Sequence, residues 1–253
     1  MDVGTRSYQH RTTSSEAWAA AADLLLGARC AGCARPGRVL CPACRPWTLP
    51  RPRLCRPDPC PPALAPGGTP PYAGGDYADV LRRLVVAYKD DGRAGLAGPL
   101  GRLLAAVVEL ACGTALAEGV ELVPVPSSRA SRRRRGRDPV GDLARVAARE
   151  LRRSGQAATV AGRLSHRREV RDQAGLDAAE QAANLQGAFT ARPRRLSRSG
   201  AVDGPVRVVV DDVLTTGATA DEAVRVLAAA GWPVAAVATV AATRRRWPQP
   251  FRW

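Results

Sequence analysis

The chain has 253 residues and a mass of 26.7 kDa, and its 45% hydrophobic content is enough to build one sizeable core, which excludes wholesale disorder. The formal net charge is +15, and of the 38 basic residues only Lys89 is a lysine. An Ala-, Arg-, Pro- and Gly-heavy composition also follows from a coding bias toward G and C, so the charge implies attraction for phosphates without naming a nucleic-acid partner.

Residues 1–14 are polar, and Ser14-Ser15-Glu16 opens a short helix predicted to run to Leu26. The N-terminal stretch lacks an apolar signal core, which predicts a cytoplasmic protein. In that compartment the seven cysteines are expected as metal ligands or free thiols rather than disulfides. Cys30-x2-Cys33 and Cys41-x2-Cys44 form two knuckles whose four thiolates can surround one structural Zn²⁺ with no open position. A Pro-rich piece of that size needs such a clip to fold. Cys55 and Cys60 do not repeat the spacing and are not expected to be ligands, and Cys112 reads as a buried small hydrophobe. Residues 61–71 (PPALAPGGTPP) read as a stiff linker.

Beyond the linker the pattern changes. Tyr77, Val80, Leu81, Leu84, Val85 and Tyr88 make one apolar helical stripe that ends at Lys89. A second helix is predicted around Leu100 to Cys112. Its apolar run, Leu103–Ala117, is broken by Glu109 and falls short of the roughly 18 uninterrupted residues of a membrane span, so no span is expected. VELVPV (120–125) reads as a buried strand, residues 127–137 as an arginine-rich loop with only Asp138 nearby to pair, and Val140 to Leu151 as an amphipathic helix. A weaker strand is predicted at 158–164. Residues 165–184 and 192–204 are polar or basic connections, and the lone histidines His10 and His166 read as surface residues. VRVVVDD (206–212) is a strand buried on both faces. It is followed by a helix from Ala220 to Ala230 and a strand at 234–242. Alternating strands and helices predict an α/β fold with a parallel, doubly wound sheet.

VRVVVDDVLTTGAT carries the most chemistry. Ligands of open α/β sheets bind past the carboxyl ends of strands, where Asp211 and Asp212 stand. Two adjacent acids at a strand end need hydroxyl donors or a cation such as Mg²⁺. Thr215, Thr216, Gly217, Ala218 and Thr219 then form a turn into a helix, with hydroxyls, backbone amides and a helix N-terminus suited to a phosphate. A phosphate there and a diol on the acids describe a pentose 5-phosphate.

This arrangement resembles the phosphoribosyl pyrophosphate (PRPP) motif of type I phosphoribosyltransferases. Read in order, CAGC, CPAC, LRRLVVAYKDDGR, LVPVPSSRASRRRRGRDP, VRDQAGLDAAEQAANLQGAF and VVVDDVLTTGAT resemble the ComF family, related to competence and DNA uptake. That resemblance implies a zinc segment (30–60) after a tail (1–29), then the linker (61–71). A phosphoribosyltransferase-like domain (72–246) and a basic tail (247–253) follow. It implies that the acids hold the ribose hydroxyls and the threonine loop holds the 5′-phosphate. It places pyrophosphate near Val123–Arg129, with Lys89 and Arg129 as contacts and Mg²⁺ bound with PRPP. Lys89 is equally well read as a solvated cation at a helix C-terminus. Many relatives have RGFNQ where this chain has Arg135-Gly136-Arg137-Asp138-Pro139. Gln173 and Asn184 lie in a family-like segment without an assigned role. Two functions follow as expectations: a Mg-dependent transferase that releases pyrophosphate, or a non-catalytic protein that binds single-stranded DNA or senses PRPP. Aromatics are scarce for the second, with Trp247 and Trp253 in the basic tail.

Overall fold

The computed structural model describes residues 28–128, 131, 133, 135–167, 187–194 and 204–243. The predicted helix at 14–26, Gln173, Asn184, Arg129 and the tail tryptophans lie outside them.

The strongest apolar run forms the centre of the sheet. Strand β7 (Val206–Leu214) pairs in parallel with β8 (Ala236–Ala242) on one side and β3 (Val120–Pro124) on the other. Strand β4 (Ala158–Val160) extends the β3 side. Strand β2 (Pro71–Ala73) extends the β8 side, and β1 (Arg53–Leu54) closes that edge antiparallel. The six-stranded order is β1-β2-β8-β7-β3-β4. A separate antiparallel hairpin joins β5 (Leu164–His166) and β6 (Phe189–Ala191).

Both faces of the sheet are buried, with the alternation that period-2 geometry demands. Val120, Leu122, Val208, Val210, Ala236 and Ala238 enter one core. Helices α1 (Asp79–Lys89), α2 (Ala97–Cys112) and α3 (Pro139–Arg153) supply its other half. Val123, Val125, Val209 and Val237 enter the opposite core with α4 (Ala218–Ala229) and the β5–β6 hairpin. The protein is therefore a mixed α/β fold with a mostly parallel six-stranded sheet and a four-cysteine cluster near its N-terminus.

Residues 61–71 are not a free tether. A 3₁₀ turn at Pro62–Leu64 plants Leu64, fully buried, in the α4-side core. The Ala63 N–H donates to Asp221 Oδ1 on α4 at 2.7 Å. Proline stiffness holds the segment against α4 because a buried leucine and a carboxylate acceptor fix its position. The continuous helical segment Ala94–Glu118 is long and apolar enough, by length and composition, to cross a membrane. Half of its most apolar window is already buried within the protein, where α2 packs on α3 and β8.

Candidate functional site

The carboxyl end of β7 opens on a cleft of about 430 Å³. Asp211, Asp212, Thr215, Thr219 and Lys89 all line it. Asp212 is buried, and Lys89 Nζ reaches across from the end of α1 to lie 2.7 Å from its Oδ2. That contact is a charge contact without the alignment of a directed hydrogen bond. Lys89 is thus not simply a solvated helix end. Burial would lower its ammonium, but the charges of Asp212 and Asp211 outweigh this and raise it.

Asp211 Oδ1 accepts the Asp212 N–H at 2.8 Å. Burial and the neighbouring Asp212 charge push the Asp211 carboxyl up to about 7, against the pull of Lys89. Asp211 therefore holds a proton near neutrality, while the Lys89 ammonium lies against Asp212.

The loop after β7 is braced from three sides. The Ala218 N–H donates to Thr216 Oγ1 at 3.5 Å, and Thr243 Oγ1 donates to the Thr215 carbonyl at 3.4 Å. Gly217 has φ +80 and caps α4. A Cβ there would lie 2.8 Å from Pro57 Cγ and 3.1 Å from Leu64 Cδ1, so both the backbone and the overlying proline segment require glycine. Thr215 and Thr219 face the cleft; Thr216, Gly217 and Ala218 shape the turn behind it.

The opposite wall is built from the 127–137 segment. Ser127, Ser128, Ser131 and Arg135 line the cleft. Arg135 is held by Asp90 Oδ1 at 2.7 Å. Arg137 pairs with Asp142 at 3.0 Å and stacks 4.3 Å from the Tyr88 ring centroid. The arginine run has acids to pair with after all, supplied by Asp90 just past α1 and Asp142 on α3. His166 is not a surface residue either. It lines the cleft beside Phe189, its cross-strand partner, with ring centroids 5.1 Å apart and Nε2 2.8 Å from the Pro126 carbonyl. Arg135 and Arg137 were visible as part of a basic run. Their partners lie 45 and 5 residues away in sequence, and no spacing rule connects Asp90 to Arg135.

The four cysteines Cys30, Cys33, Cys41 and Cys44 converge, with all four sulfurs within 4.8 Å of one another. Tetrahedral zinc with ligands at about 2.3 Å needs sulfurs about 3.8 Å apart, so the cluster is of the kind that holds a structural zinc ion. Backbone N–H groups of Gly32 and Cys41 each donate to Cys30 Sγ at 3.4 Å. Burial would raise the Cys30 thiol, but these amides hold it down, while burial and the three neighbouring sulfurs push Cys44 up. Gly32 is wedged so closely that a Cβ would lie 2.7 Å from Cys44 Sγ and 2.8 Å from Val80 Cγ1, locking the knuckle onto α1. Cys55 and Cys60 stand apart in the α4-side core, and Cys112 is buried.

No family model and no curated protein matches this chain.

Proposed function

We propose that the cleft binds PRPP with Mg²⁺ and that the protein is a phosphoribosyltransferase-like member of the ComF family, connected by that resemblance to DNA uptake. The observation that carries this reading is the convergence of Asp211, Asp212 and Lys89 on one cleft with Thr215 and Thr219. The carboxylates accept hydrogen bonds from the ribose diol. Thr215, Thr219 and the N-terminus of α4 hold the 5′-phosphate. Lys89 balances the acids and faces the leaving group, with Arg129 the contact that the family resemblance implies. Carboxylate oxygens of Asp211 and Asp212 fit the oxygen preference of Mg²⁺, which supplies charge neutralisation to the departing pyrophosphate. In the transfer, the bond from ribose C1 to the pyrophosphate oxygen breaks and its electron pair leaves on pyrophosphate. The acceptor bonds to C1 and releases a proton. Rigid positioning of phosphate and diol is the protein's main contribution.

Calorimetric titration of PRPP with Mg²⁺ tests this. Asp211→Asn combined with Asp212→Asn should abolish binding while leaving the circular dichroism intact; unchanged affinity refutes the assignment. An acceptor screen for released pyrophosphate then separates enzyme from binder.

A second reading, a non-catalytic protein of DNA uptake that binds single strands or senses PRPP, draws on a different surface. A groove of about 630 Å³ beside the cysteine cluster is bordered by Arg29, Arg82, Arg83 and Arg93, and Trp47, 47% exposed, lines a separate groove with Arg51 and Arg53. That reading requires DNA affinity that falls steeply with salt and no pyrophosphate release.

A further inference from the structure

The amino ends of the central strands carry a second concentration of charge. Glu121 on β3 and Arg207 on β7 are cross-strand partners, and both side chains are buried, at 7% and 6% exposure. Four residues separate Arg207 from Asp211 along β7, so this cluster stands about 13 Å from the acid pair. Arg163 grips Glu121 with two hydrogen bonds, Nε to Oε1 at 3.1 Å and Nη2 to Oε2 at 2.6 Å. Arg207 Nε, 3.3 Å from Glu121 Oε1, is buried and makes no directed hydrogen bond.

The indole of Trp232 gathers these cations. Its ring centroid lies 4.0 Å from the Arg163 guanidinium carbon, 4.9 Å from that of Arg207 and 5.7 Å from that of Arg194. The ring is fixed by its own Nε1–H donating to the Arg192 carbonyl at 2.8 Å. Burial lowers the Arg207 guanidinium, Glu121 opposes this, and Arg194 and Arg163 lower it further. Among the described residues, the two arginines that share Glu121 exceed it in charge. A half-buried excess of this kind is costly unless a further anion reaches it.

The geometry points to an anion site at Arg163, Arg194, Arg207 and Trp232 that takes a dianionic phosphate, as free phosphate or a phosphate monoester. Guanidinium forks match phosphate oxygens bidentately, and a partly exposed Arg163, at 33%, leaves the site open to solvent. Arg163 immediately precedes β5 and Arg194 follows β6, so the site sits at the foot of the hairpin whose other end presents His166 and Phe189 to the cleft. It does not depend on what the cleft binds.

The test is tryptophan emission of the full-length protein titrated with inorganic phosphate, with ionic strength held constant by sodium chloride. A saturable change is expected in the wild type and in the Asp211→Asn/Asp212→Asn variant. It should vanish in Trp232→Phe and weaken at least tenfold in Arg194→Ala. Arg163→Gln, which keeps a donor toward Glu121, should weaken it to a similar degree and serves if Arg194→Ala does not fold. Absence of a saturable change in the wild type overturns the site, and so does a change that persists in Trp232→Phe or at full affinity in a folded arginine variant.

Discussion

Replacing Asp211 with asparagine should stabilise the fold at pH 8 and flatten its dependence on pH. Asp211 is half-buried beside Asp212, and its carboxyl is raised from 3.8 to about 7 by burial first and the neighbouring charge second. A carboxyl that holds its proton more tightly in the folded state contributes stability that is complete below about pH 4 and is lost as pH rises through about 7. At about 1.4 kcal/mol per pH unit the full displacement corresponds to about 4 kcal/mol. Partial solvent access reduces this, and about 1–2 kcal/mol is the expected effect. For a domain of this size that is about 2–8 °C in Tm. Asparagine keeps the shape and carries no charge, so the variant should melt above the wild type at pH 8 and converge with it near pH 4. Thermal or urea melts across that range read the difference directly. A variant that is less stable at pH 8, or as steeply pH-dependent as the wild type, refutes the reasoning. The same titration predicts that wild-type affinity for PRPP rises as pH passes 7, because the ionised carboxylate is acceptor-only and makes stronger, charge-assisted hydrogen bonds to the hydroxyls.

Purified protein prepared without chelators should contain one zinc per chain by metal analysis. Cys41→Ser should lose it and melt earlier, because binding energy in such a cluster is folding energy. Gly217→Ala should cost about 1–3 kcal/mol, since its φ of +80 disfavours a side chain and Pro57 leaves a Cβ no room; urea denaturation measures it. Ala34, with φ +61 directly after Cys33, is held in the left-handed region. Ala34→Gly should therefore raise stability by about 0.5–1 kcal/mol, and a loss in the same assay would contradict the strain.

The elements that pattern predicted best are those whose burial is one-sided or complete along their length. The α1 stripe from Val80 to Tyr88 is buried as spaced, and the valines of β7 divide between two cores as a strand covered on both faces requires. The cysteine knuckles and the Asp-Asp-to-threonine turn were legible because each gathers side chains of one chemistry within a short stretch of chain. The proline segment misled because its composition describes backbone stiffness and is silent on Leu64, whose partners in α4 lie more than 150 residues on. His166 gave no local signal for the same reason: its place in the cleft depends on pairing with Phe189.

The chain's own order of residues determined the α/β alternation, the cysteine spacing and the acid pair at the end of a buried strand, because each is set by short-range periodicity or adjacency. Only the tertiary structure decided that Lys89 meets Asp212, that a proline strap underlies Gly217, and that Arg163 and Arg207 share Glu121 against Trp232. Those contacts join segments far apart in sequence, and the parallel sheet brings them together by returning each strand to the same end.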